Sequence, residues 1–223
     1  MKQRILFTLF GVLFLNLAFG QNKQTPEATL NKYLVAILDT IHQEDQKYRE
    51  EEQVLEKKFG WESKDVQDIE KIIHEKDSIN LIQVEKIIAE YGWLGADIVG
   101  EMGNKTLFLV IQHSNTQTQV KYLPMLREAV KNGKAKASYL ALMEDRVLLA
   151  QGEKQIYGSQ LQMDSETNQW VLEPMIDPDN VDKRRAEVGL KPLSEYLKYW
   201  DLTWDVEKFK KRMDVYDSER NKK

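Results

Sequence analysis

The sequence predicts a mainly α-helical single domain carrying one small β-hairpin near residues 159–173. Three observations predict it. Apolar residues recur every three or four positions over most of the chain, which is the spacing of one helix face. Cap and stop signals bracket those stretches. After Gly158 the apolar spacing shortens to two, as in paired strands.

The first twenty residues read as an export signal. Lys2 and Arg4 precede an apolar run from Ile5 to Phe19, and the small residues Ala18 and Gly20 suit cleavage before Gln21. The run falls short of the ~20 apolar residues that a membrane-crossing helix needs, and no second such run follows. Cysteine is absent, which removes disulfides and also the thiol used in lipid anchoring. The expectation is a periplasmic or secreted protein with no membrane association after cleavage. A helical domain spans 21–200, and a C-terminal helical extension with a frayed tail spans 201–223. The chain of 223 residues has a net charge of −4, with its basic residues scattered among acidic ones. Nucleic-acid surfaces want a clustered positive field, so that class of partner is excluded.

Thr25-Pro26-Glu27 predicts the first helix start, with a cap, a proline at the first helical position and an acid in the first turn. Leu30, Leu34, Leu38 and Ile41 form its apolar stripe. Continued in the same steps, the stripe turns polar at Asp45 before Gly60 ends the helix. A second helix is expected from Ser63 to Tyr91, on the face of Val66, Ile69, Ile73, Leu81, Val84 and Ile88. Asp77 and Asn80 fall on that face, so either the carboxylate is buried with partners or the helix breaks near Ser78.

The glycines between Gly92 and Gly103 predict turns or short connectors. Thr106 to Ile111 is a continuous apolar run that fits a buried strand or a buried helix, and in either case it delivers Gln112 and His113 from the core. Thr116-Gln117-Thr118-Gln119 has capping-box spacing and opens a helix that Pro124 should kink and Gly133 should close. Ser138 to Gln151 forms the next helix, with Asp145-Arg146 in its middle. The hairpin follows, with Leu161 and Met163 alternating against Trp170 and Leu172 around a turn at 164–168. Asp177-Pro178 and Pro192 each start a short helix. The tail carries Trp204, Phe209, Met213 and Tyr216 at weakly amphipathic spacing.

The polar residues form an ordered pattern: Asp45-Gln46-x-x-Arg49, Asp77-x-x-Asn80, Gly92-Trp93, Gln112-His113, Asp145-Arg146, Gln155-x-Tyr157-Gly158-x-Gln160, and Arg184-Arg185-x-x-x-Gly189-Leu190. From about Leu30 to Leu197 this pattern resembles a bacterial family of domains of unknown function. The family usually has threonine where this chain has Ser159 and proline where it has Leu94. The resemblance implies no reaction. It implies that these positions belong to a shared pattern and meet in space.

Histidine is the one side chain in the set whose ordinary pKa lies near neutrality, so His113 is the first choice for a general acid or base. Asp145 or Asp45 is placed to orient its ring, and Asp145 is assigned that role. Arg49, Arg146, Gln155, Tyr157 and Gln160 are expected to hold a ligand through directional hydrogen bonds, together with Asp45, Gln46, Asp77, Gln112, Arg184 and Arg185. Ser114 and Ser159 lack a glycine-flanked elbow, so activation of water is the more natural chemistry. Histidines at 42, 74 and 113 share no ligand spacing, so neither metal nor cofactor is expected. The functional expectation is a hydrolase-like enzyme or small-ligand binder acting on a polar small molecule or peptide. The alternative is a non-catalytic envelope domain that binds partners through an apolar patch near Trp200 and Trp204, its polar residues forming a structural network.

Overall fold

The computed structural model describes residues 30–164, 167 and 169–220. The export signal and the helix start expected at Thr25 lie outside the described residues. Among the latter there are eight α-helices and one two-stranded hairpin, a mainly α single domain.

Helix α1 (Lys32–Phe59) opens at Asn31, whose side chain accepts the Leu34 N–H. Leu30 therefore precedes the helix and is exposed, and the buried stripe begins at Leu34 and continues through Leu38 and Ile41. Helix α2 (Lys64–Tyr91) is capped by Ser63 and runs unbroken past Asp77 and Ser78. The helix does not break there: Asp77 is partly buried, its side chain 14% exposed, and Asn80 is only 2% exposed.

Gly92 to Gly95 form the expected connector, but helix α3 (Ala96–His113) replaces the one expected at Gly100 to Gly103. The path bends without ending, because Gly100 sits at φ 72°, ψ 168°, a conformation that only glycine adopts readily. The ambiguous Thr106–Ile111 run is helical. It is apolar nearly all round because α1, α2 and α4 pack against this helix, which makes it the centre of the bundle.

Helix α4 (Thr116–Lys131) is capped by Asn115 rather than by the capping box expected at Thr116. The Gln119 amide is drawn away from that box, since it donates to the carbonyls of Gln112 and Ser114 at 2.8 and 2.9 Å. That pair of bonds fixes the corner between α3 and α4. Helix α5 (Ala137–Ala150) packs against α4. Strands β1 (Leu161–Asp164) and β2 (Gln169–Leu172) pair antiparallel, with Leu161 opposite Leu172. A 3-10 turn at Pro178–Asn180 leads into α6 (Val181–Glu187), and α7 (Leu193–Leu197) and α8 (Val206–Arg220) complete the chain.

Two apolar cores result. The larger joins α1 to α5 through residues such as Leu38, Ile41, Leu107, Ile111, Leu126 and Met143. The smaller joins β2, α6, α7 and α8 through Leu172, Met175, Val181, Leu193, Leu197, Phe209 and Met213. Each such side chain, when fully buried, contributes about 1.5–3 kcal/mol. Phe209 and Met213 bring α8 into the smaller core, so the segment after residue 201 is built into the fold. The indoles expected to offer a patch are partly packed as well: Trp200 lies against Trp170 and Trp204 against Phe209. Among the described residues no helix is long and apolar enough to cross a membrane. The segment 151–160 passes from the larger core to the smaller, and the polar residues of the sequence pattern gather along it and around the middle of α1.

Candidate functional site

The stripe of α1 carries Asp45 four residues beyond Ile41, so the helix itself turns this carboxylate into the bundle, where it is 1% exposed. A buried carboxylate needs donors to replace its lost hydration. His113, at the last turn of α3, supplies one: its Nδ1 lies 2.9 Å from Asp45 Oδ1. Gln46 Nε2 donates to the other oxygen at 2.6 Å. Burial pushes the Asp45 carboxyl up, but the hydrogen bond and charge of His113, with Gln46 and Arg49, outweigh it and hold the pKa below its ordinary value. An ionised carboxylate can only accept, so the Nδ1 of His113 carries the shared proton and Nε2 remains as the basic nitrogen. Among the described residues Nε2 has no hydrogen-bond partner, and the His113 side chain is 17% exposed.

One turn beyond Asp45, Arg49 donates to the Asp45 main-chain carbonyl. Its other terminal nitrogen donates to both oxygens of Asp77 on α2, at 2.9 and 2.8 Å. Asp77 follows Ile73 by four residues on α2, which explains its inward aim. The ligand-type atoms of Asp45, Asp77 and His113 lie within 4.8 Å of one another, a grouping compatible with a divalent cation. Sequence spacing cannot show such a set, because its members come from three helices. Here, however, Arg49 occupies Asp77, and Arg146 adds a second positive charge near Arg49. Those charges oppose a cation at this place.

The second group of predicted residues converges on the loop 155–160. Asp145, fully buried on α5, accepts the N–H groups of Ile156, Tyr157 and Ser159 at 2.7, 3.0 and 3.0 Å, and the Ser159 hydroxyl at 2.8 Å. Burial raises its pKa and these donors oppose the rise. Because main-chain N–H groups can only donate, and they address both oxygens, the arrangement is that of an ionised carboxylate. Gln155, also fully buried, donates to the carbonyls of Gln160 and Glu173 and accepts the Gln160 N–H. Gln160 in turn donates to the Ser159 hydroxyl.

Arg184 donates to the carbonyls of Ile156, Ile176 and Asp177 and to the Asp177 carboxylate. Arg185 donates to the carbonyls of Lys191 and Tyr157 and lies over the Tyr196 ring, whose hydroxyl reaches the Ser159 carbonyl. Gly158 has φ 65°, and a Cβ there would stand 3.0 Å from Met175 Sδ. The loop thus has its main chain held by side chains on nearly every residue, and glycine is needed where it meets the smaller core.

The structure therefore divides the predicted set. It brings Asp45, Gln46, Arg49, Asp77 and His113 together at the α1–α2–α3 junction. It spends Asp145, Gln155, Gln160, Arg184 and Arg185 on the loop. The partner of His113 is Asp45, which corrects the assignment of Asp145 as the residue orienting its ring. The reason is helical phase: Asp145 follows Ala141 by four residues, on the face that α5 turns to the loop.

Two members keep buried polar atoms without partners among the described residues: Gln112 Oε1 and Arg146 Nε. Burial pushes the Tyr157 hydroxyl up, with Glu144 and Asp145 adding to the effect. Asn80, one turn beyond Asp77, has a buried amide nitrogen in the same condition.

Residues outside the prediction also matter. Buried Asn104 donates to the carbonyls of Leu94 and Lys134, both at 2.7 Å. It stands two residues before the apolar run, in a stretch whose glycines read as connectors, so nothing in the sequence signals it. Tyr196 had no signal beyond its helix start. A groove of about 300 Å³ between α4 and α5 is lined by Leu123, Pro124, Arg127, Glu144, Val147 and Ile156, among others. It contains none of the predicted site residues.

Fold and site together define a helical domain with an imidazole–carboxylate dyad braced by an arginine–aspartate pair. The chain's own kinship is then plain: residues 32–208 match a family of unknown function (DUF6624), and the chain belongs to that family. No curated protein and no solved structure matches it.

Proposed function

We propose that this protein is an exported enzyme of hydrolytic type that acts on a small polar molecule or peptide through acid–base chemistry at His113. The observation that carries the reading is the 2.9 Å contact between His113 Nδ1 and buried Asp45. A buried carboxylate fixes the tautomer and orientation of the ring, while Nε2 is left to take a proton from water and return it to a leaving group. Export is supported by the basic, apolar and small-residue order of the first twenty residues. Gln112 and Arg146 are the ligand-holding candidates, because buried polar atoms of both are not committed elsewhere.

The test is turnover of a panel of chromogenic ester, amide and phosphoester substrates by the purified protein. His113→Asn should lower kcat by ~10²–10⁴, the usual contribution of a positioned acid or base, and Asp45→Asn should also lower it. Activity undiminished in His113→Asn would remove the proposal.

A second reading, a non-catalytic envelope binding domain, is favoured by one observation: Asp145, Gln155, Arg184 and Arg185 all serve the main chain of the loop. It is distinguished by stability. If the dyad is also a structural network, His113→Asn lowers Tm as strongly as Asp145→Asn does.

A further inference from the structure

Five arginines in the described residues are largely withdrawn from solvent, and four have acceptors, Arg49 among them through Asp77. Arg184 and Arg185 bond to loop carbonyls, and Arg212 bonds to the Leu172 carbonyl. Arg146 is the exception. Its Nε is buried without a partner, and none of its nitrogens makes a hydrogen bond or ion pair with a described residue. Its sequence neighbour Asp145 cannot serve, since both of that carboxylate's oxygens are taken by the loop.

A guanidinium without a counter-charge is an unfavourable thing to bury. Burial pushes its pKa down; the neighbouring Tyr196 hydroxyl opposes that fall, and Arg49, which repels it, adds to it. Arg49 belongs to the cluster that holds His113 and Asp45. Two positive groups thus approach one another beside the dyad, one of them with no acceptor. The unpartnered Asn80 amide nitrogen adds a further buried donor on the Asp77 face of α2.

We propose that Arg146 is the binding residue for the oxyanion of a small ligand, a carboxylate or phosphate group, in the same region of the fold as the Arg49–Asp45–His113 cluster. This deepens the acid–base reading by naming the substrate's class, an acidic small molecule, and it rests on that reading for the role of His113. The planar guanidinium suits either oxyanion, because both present two oxygens at the spacing of its N–H fork.

Thermal denaturation of the purified protein in sodium phosphate or sodium acetate, against sodium chloride at matched ionic strength, tests the proposal. An anion that binds only the native state raises Tm with its concentration. The expected result is a rise with phosphate or acetate and none with chloride. Phosphate alone identifies a phosphate ligand, and acetate alone a carboxylate.

Arg146→Met keeps an unbranched apolar stem without the charged end, so it should raise Tm in chloride and abolish the anion-dependent rise. Arg146→Lys, which keeps the charge, should retain a reduced rise. An anion-dependent rise that survives in Arg146→Met overturns the proposal, as does a wild-type Tm that responds equally to all three salts. His113→Asn should keep the anion response while losing turnover. Loss of the anion site with turnover intact would leave the acid–base reading standing, and the reverse result would leave the anion site standing.

Discussion

His113 and Asp45 are 68 positions apart in sequence and 2.9 Å apart in space, joined where the last turn of α3 meets the middle of α1. Asp45 is held below its ordinary pKa by this contact, against the effect of burial. An unfolded aspartate titrates at about 3.9. The unfolded state therefore takes up its proton at higher pH than the native state does. Asp45 contributes its full stabilisation above that pH, and the contribution is lost as pH falls through the depressed native value. Denaturant unfolding of wild type and Asp45→Asn between about pH 6 and pH 2 should show the difference between them shrinking on acidification. At neutral pH the variant should be less stable by about 1.5–3 kcal/mol, the range for a hydrogen bond to a charged group. A difference independent of pH would show that the carboxylate is not the stabilising species.

Asp145 collects three main-chain N–H groups and one hydroxyl. Asp145→Asn turns one acceptor oxygen into an NH₂ group that faces those donors. The expected cost is about 3 kcal/mol or more, because buried donors are left without acceptors and one repulsive contact is made. Chemical denaturation measures the loss, and limited proteolysis should show new cleavage between 155 and 160. Wild-type stability with an uncut loop would mean that the clamp does not hold the loop.

Arg49 blocks Asp77 from any other partner. Arg49→Gln removes that block and one positive charge from beside three ligand-type groups lying within 4.8 Å. Zn²⁺ or Mn²⁺ should then raise the Tm of Arg49→Gln and leave the wild type unmoved. A wild-type rise of equal size would show that the guanidinium is no barrier to a cation.

Much of the fold was legible in the sequence because its helices are amphipathic and capped by local residues. Ser63 and the α1 stripe from Leu34 onward report themselves through spacing alone. The α3 segment was not legible, because Gly100 bends a helix there rather than ending it, and whether neighbours pack around a bend is not a local property. The Thr116 capping box failed for a similar reason, since Gln119 has better acceptors in the chain before it.

In the site, the list of polar residues was readable and their partners were not. Asp45 and Asp145 are both single carboxylates on amphipathic helices. Only the phase of each helix against its neighbours decides which one meets the imidazole. The motif around Gln155 and Tyr157 looked like a ligand cradle because loop-holding and ligand-holding use the same side chains.

The loop's fastenings have a consequence for how the molecule comes apart. Asp145 stands on a helix of the larger core, Arg185 on a helix of the smaller, and both grip the same few peptide groups. Neither core can loosen without stripping acceptors or donors from the other's anchor. Two clusters that share no continuous apolar surface are thereby made to melt as one cooperative unit, and the latch that couples them is a stretch of backbone.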